Sequence, residues 1–191
     1  MSYLMNAVAM LLDLVLNAAA ALLILRVLAE ACRADFHNQI SQFVYRTTNP
    51  VLAPLRRVIP NWRRINLAAV LLAWAVMVLK CLLLFALRGM LPHLSGLLVL
   101  SLAQLLEFVL MFYLILVFGW SLLTMFAADQ RNPLLRLAGT LVEPLLRPLR
   151  GKMILGSIDF APTVVLIALW LASQLIAAPL IDLGTRLALG V

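Results

Sequence analysis

Charge is what this sequence has least of. Only 12% of its 191 residues are Asp, Glu, Lys or Arg, against 65% drawn from Ala, Val, Ile, Leu, Met, Phe, Trp, Tyr and Cys. A soluble domain carries about 25% charged and about 45–50% apolar residues. Too little polar surface remains here to cover a water-soluble body, which excludes a soluble enzyme and a disordered tail. The two cysteines, Cys32 and Cys81, exclude a disulfide framework and give no metal-ligand spacing. The two histidines, His37 and His93, lie too far apart for a haem or metal pair. There is no Ser-His-Asp constellation, phosphate loop or nucleotide fingerprint, so no catalytic residue, cofactor or metal is expected. The net charge of +7 would elsewhere suggest nucleic acid. In a chain this apolar it reads instead as basic residues held against anionic headgroups, with no nucleic-acid partner.

Long hydrophobic runs are abundant. A spanning helix needs about 20 mostly apolar residues, and four stretches qualify: about 7–29, 67–87, 97–127 and 161–181. The expectation is an all-α integral membrane protein with four transmembrane helices. Ala29-Glu30-Ala31 resembles a signal-peptide cleavage site, but Met1 to Asn6 carry no positive charge, so the first span reads as a retained anchor. Arg33, Arg46, Arg56, Arg57, Arg63 and Arg64 lie between spans one and two. Arg131, Arg136, Arg147, Arg150 and Lys152 lie between spans three and four, while the opposite face holds only Arg88 and Arg186. Under the positive-inside rule both long loops are cytoplasmic and both termini face outward, into the periplasm of a double-membrane bacterium.

The chain reads as two copies of one unit. At a shift of 94 positions Asp13 meets Glu107, Asn38 meets Asn132, Asn49-Pro50 meets Glu143-Pro144, Pro54 meets Pro148, and Leu55-Arg56 meets Leu149-Arg150. At a shift of 93, Asn66-Leu67-Ala68 meets Asp159-Phe160-Ala161. This predicts tandem repeats over 1–94 and 95–191. With two spans each they share one orientation, which predicts a pseudo-twofold axis along the membrane normal.

The loops carry pattern as well. Phe36, Ile40, Phe43 and Val44 recur at helical spacing, as do Leu134, Leu137 and Leu141, predicting amphipathic interfacial helices over about 36–48 and 132–142. Pro50, Pro54 and Pro60 follow in one copy, Pro144 and Pro148 in the other. These predict extended strips whose arginines lie on lipid phosphates.

Asn49-Pro50-Val51-Leu52-Ala53-Pro54-Leu55-Arg56-Arg57-Val58-Ile59-Pro60 in the first copy resembles the signature of the YggT family. So do Pro144 to Arg150 and Gly156-Ser157-Ile158-Asp159-Phe160-Ala161-Pro162 in the second. The resemblance covers both repeats, as in the two-repeat proteobacterial type. Repeat one departs from it in Asn66-Leu67-Ala68-Ala69, which lacks the aspartate and closing proline; repeat two lacks the Ile-Pro after its arginines. The resemblance implies an inner-membrane protein without a known enzymatic reaction. It also implies an association with osmotic or envelope stress tolerance, in some bacteria with cell-division gene neighbourhoods, and in plastids with membrane and nucleoid organisation.

Two residue sets are candidate sites. Arg56, Arg57, Arg147 and Arg150 would bind lipid phosphate or an acidic partner, with Asp159 fixing the start of span four. The expected partners are anionic lipids, together with a membrane-protein partner or a second copy. Ionisable groups inside spans are functional candidates by default: at about 1.5 Å per residue, Asp13, Lys80 and Glu107 all fall in the outer half of the bilayer. One arrangement has both acids sharing Lys80, a site for a cation or a proton relay in a small transporter or channel subunit. The alternatives are snorkelling to the headgroups, or an Asp13–Lys80 pair holding span one to span two.

Overall fold

The computed structural model describes residues 3–35, 38–61, 65–125, 132–155 and 158–190. Phe36, His37, Arg63, Arg64, Arg131, Gly156, Ser157 and the end of span three beyond 125 lie outside the described residues. Four helices are long and apolar enough to cross a membrane. They are α1 (Tyr3–Ala31), α3 (Leu67–Leu87), α4 (Leu94–Met125) and a compound helix over Ala161–Leu189. Between α1 and α3 lies α2 (Gln39–Leu55), and after α4 comes α5 (Pro133–Leu146).

The shorter helices start on asparagines at matching places in the two copies. The Asn38 side chain accepts from Ile40 N at 2.9 Å, and that of Asn132 accepts from Leu134 N at 2.9 Å, with Pro133 in the first turn. Each satisfies a backbone donor that has no partner within the helix. Asn38 also donates to Pro133 O at 2.6 Å, tying the two helix starts together.

The extended strips expected from the prolines are not formed. Pro50 and Pro54 lie inside α2, Pro144 lies inside α5, and helical turns continue from Leu55 to Ile59 and from Leu146 to Lys152. Val44 and Leu52 are buried, with Leu52 packed among Ala20, Leu23 and Ile24 of α1. Each fully buried side chain contributes about 1.5–3 kcal/mol, the same order as the ~3 kcal/mol cost of an interior proline. Both prolines face outward, where the carbonyls they free can be solvated. The buried face of α5 is Leu135, Leu137, Leu141, Val142 and Leu146; Leu134, expected on that face, is exposed.

The fourth span runs eight residues beyond its expected end. Ala161–Ala172 is α6, Ser173–Ala177 is a π-helical segment, and Ala178–Leu189 is α7. Ala178 N bonds to Ser173 O, five residues back. The wide turn absorbs Pro179, which cannot donate to its own preceding turn. Upstream, a two-residue antiparallel ladder pairs β1 (Ile154–Leu155) with β2 (Ile158–Asp159) and sets Asp159 at the foot of α6.

The spans pack as a row: α1 on α3, α3 on α4, and α4 on α6 and α7. Among the described residues α1 has no comparable packing on α6 or α7. A twofold axis would pair α1 with the last span as it pairs α3 with α4. The short link at 88–93 makes α3 and α4 neighbours, and the order is that of a translation. The closest crossing is α4 on α7, where a Cβ on Gly184 would lie 2.6 Å from Leu100 Cα, the small-residue contact typical of membrane helices.

Candidate functional site

Near the C-terminal end of α1, Arg26 is 1% exposed, yet it is a charged group at the edge of an apolar span. Its Nε donates to Glu30 Oε1 at 2.7 Å, one helical turn on, and its Nη1 donates to both Thr48 Oγ1 at 3.2 Å and Tyr45 O at 3.3 Å. Its guanidinium also lies 3.6 Å from the centre of the Tyr45 ring. Arg56 closes the group from the end of α2, donating to the same Glu30 oxygen at 2.6 Å. Burial, reinforced by the Glu30 carboxylate, pushes the Tyr45 phenol up to about 12. Two cations around one carboxylate form a polar joint between α1 and α2, in which the buried Nε of Arg56 finds no partner among the described residues. Sequence reasoning missed Arg26, Glu30, Tyr45 and Thr48; the Arg26–Glu30 spacing of four was the available signal.

The loop arginines therefore divide. Arg56 belongs to that joint, and Arg150 pairs with Glu143 at 2.9 Å. The side chains of Arg57 and Arg147 are exposed and have neither hydrogen bond nor ion pair among the described residues. Asp159 Oδ1 accepts from Ala161 N at 2.9 Å at the start of α6, and Asn66 Oδ1 accepts from Ala69 N at 3.2 Å at the start of α3.

Within the membrane, Lys80 of α3 is 8% exposed and reaches back to α1. Its Nζ lies 3.4 Å from Asp13 Oδ1 and 3.1 Å from Asn17 Oδ1, while Asn17 Nδ2 donates to Asp13 Oδ2 at 3.0 Å. The spacing of four between Asp13 and Asn17 puts both on the α1 face that meets α3. Glu107 is not part of this group: it has no hydrogen bond or ion pair among the described residues. The arrangement of two acids sharing Lys80 is thus replaced by one acid, one amide and one base. Both cysteines are free. Among the described residues no three His, Cys, Asp or Glu side chains converge to hold a metal ion.

Four apolar helices, two shorter capped helices and a charge group paired within the spans define a small polytopic helical membrane protein. The model of the CCB3/YggT family matches the chain twice, over residues 5–87 and 99–180, which fits the tandem-repeat reading. The chain belongs to the CCB3/YggT family. It is 33% identical over 192 residues to the uncharacterized protein YggT of Escherichia coli K12, covering 98% of both chains. An uncharacterized protein in the proC 3′ region of Vibrio alginolyticus is 33% identical over 176 residues, 90% of this chain and 94% of its own. An uncharacterized protein of Pseudomonas aeruginosa is 32% identical over 161 residues, 81% and 80% of the two chains. No solved structure matches.

Proposed function

We propose that the chain is a non-catalytic inner-membrane protein that organises lipid or a membrane-protein partner, with a role in osmotic or envelope stress tolerance. In this reading its basic loops are cytoplasmic, its termini periplasmic, and α2 and α5 lie along the inner headgroups. The observation that carries it is the division of the arginines: Arg57 and Arg147 are left unpaired at the interface, while the intramembrane Lys80 is neutralised inside the chain. Phe43, Val51 and Val58 support it, being 60%, 52% and 82% exposed on and just beyond α2 beside those arginines, a pattern suited to an interface.

The test replaces Arg57 and Arg147 with glutamine in cells and follows survival of hypo-osmotic shock, together with crosslinking in the native membrane. The reading expects impaired survival and loss of the crosslinked partner or lipid; unchanged survival and crosslinking would overturn it. A transport reading, with the chain as an ion-carrying subunit, draws on one observation: the Asp13 side chain, within the first span, is 47% exposed. In that case Asp13→Asn with Glu107→Gln abolishes ion flux in liposomes, whereas the organising reading expects no flux to abolish.

A further inference from the structure

A cavity of about 820 Å³ opens between the inner end of α1, the flank of α4 and the outer surface of α5. Its wall changes character with depth: Leu28 and Tyr113 line the part set within the spans, and Arg33 and Arg147 line the part at the interface. Neither arginine has a partner among the described residues. The acid in the lining, Glu143, is already matched by Arg150 at 2.9 Å, so the cavity presents two uncompensated guanidiniums. Arg33 also holds the αL position that ends α1, at φ 54°, the one non-glycine residue with positive φ among the described residues. There the 2.8 Å bond from Ala34 N to Ala29 O and the 3.3 Å bond from Arg33 N to Glu30 O form a Schellman turn, whose αL residue is usually glycine. An arginine kept where the backbone favours glycine suggests that its side chain has a use.

We infer that this cavity binds one anionic phospholipid, its phosphate between Arg33 and Arg147 and the start of its acyl chains along Leu28 and Tyr113. The inference rests on the headgroup-binding reading above and adds the site and the lipid class. Guanidiniums match phosphate oxygens in a fixed fork geometry. A zwitterionic headgroup would need a free carboxylate for its amine, and Glu143 is occupied. A free phosphate ion would leave most of this volume and its apolar wall unfilled.

Native mass spectrometry of the purified full chain in detergent tests this, with phosphatidylglycerol, phosphatidylcholine or inorganic phosphate added. One phosphatidylglycerol per chain is expected, displaced by neither of the others. Arg33→Gln with Arg147→Gln lowers its affinity about thirtyfold, at roughly fivefold per arginine, while Arg46→Gln, exposed on α2 and outside the cavity lining, leaves it unchanged. Thr140→Trp fills the cavity without touching a charge and also expels the lipid. Arg33→Gly relaxes the backbone, so it raises the unfolding midpoint by about 2–4 °C while weakening the lipid about fivefold. Undiminished binding in the double variant, equal binding of phosphatidylcholine, or displacement by inorganic phosphate would each overturn the inference. If the double variant loses lipid but cells carrying it survive osmotic shock normally, the site stands and the stress reading falls.

Discussion

The joint between α1 and α2 and the joint between α4 and α5 occupy matching places, 94 residues apart, and are held by opposite means. In the first, Arg26 lies over the Tyr45 ring at 3.6 Å and is tied to Glu30 and Thr48. In the second the same positions are Trp120, Gly139, Thr124 and Val142. There the indole takes the space of the missing side chain: a Cβ on Gly139 would lie 3.1 Å from Trp120 Nε1. Val142 is fully buried where Thr48 bonds Arg26. The final arginine is kept in both, but Arg56 finds its acid on α1 whereas Arg150 finds it on its own helix, in Glu143. The span pairs differ in the same sense: Lys80 with its partners in the first corresponds in the second to Ser173, at the head of the π segment, whose buried hydroxyl has no hydrogen bond among the described residues. One skeleton thus accepts a charged joint or an apolar one, provided that whole groups of residues change together.

The largest test of that contrast removes one member of a charged group. Asp13→Ala leaves Lys80 facing only Asn17 and is expected to destabilise the folded protein by about 3–5 kcal/mol. Asp13→Ala with Lys80→Met should recover most of that loss, while Ser173→Ala costs under about 0.5 kcal/mol. Thermal unfolding in detergent measures all three. Glu30→Ala, stranding Arg26 and Arg56 together, should match Asp13→Ala, whereas Thr124→Ala at the corresponding place should be nearly neutral. A smaller effect is expected at the foot of α6, where Asp159→Ala removes an accepted backbone hydrogen bond and lowers stability by about 1 kcal/mol.

A pH dependence is also expected. Because the folded state holds the Tyr45 proton to about 12, against about 10 in an unfolded chain, its contribution is intact below pH 10. It is lost as the pH rises from about 10 to about 12. Tyr45→Phe should flatten that part of the alkaline unfolding curve; an unchanged curve would show that Tyr45 does not contribute.

Much of this architecture was legible in the sequence because apolar run length dominates in a membrane. The second span begins and ends at Leu67 and Leu87 as expected, and the Asp13–Lys80 pair was among the arrangements that helix rise allowed. What was not legible depended on tertiary burial. Pro50 and Pro54 read as helix breakers, but Val44 and Leu52 pack on α1 and keep the helix intact past them. Glu107 matched Asp13 in sequence yet has no base, because its helix meets the π segment where Lys80 would stand. The role of Arg26 depends on α2 folding back to deliver Tyr45 and Thr48, a contact that no local pattern encodes.

The central claim is that both arginine-bearing turns lie on one side of the membrane. It is tested most directly by single-cysteine labelling in a chain whose Cys32 and Cys81 have been replaced by serine. Arg57→Cys and Arg150→Cys, with Leu91→Cys in the short link as the opposite-side reference, are exposed to a membrane-impermeant maleimide in intact spheroplasts and in inside-out vesicles. The account predicts that positions 57 and 150 react only in inside-out vesicles and position 91 only in spheroplasts. Reaction of positions 57 and 150 from opposite sides, or of either from outside the cell, would contradict it.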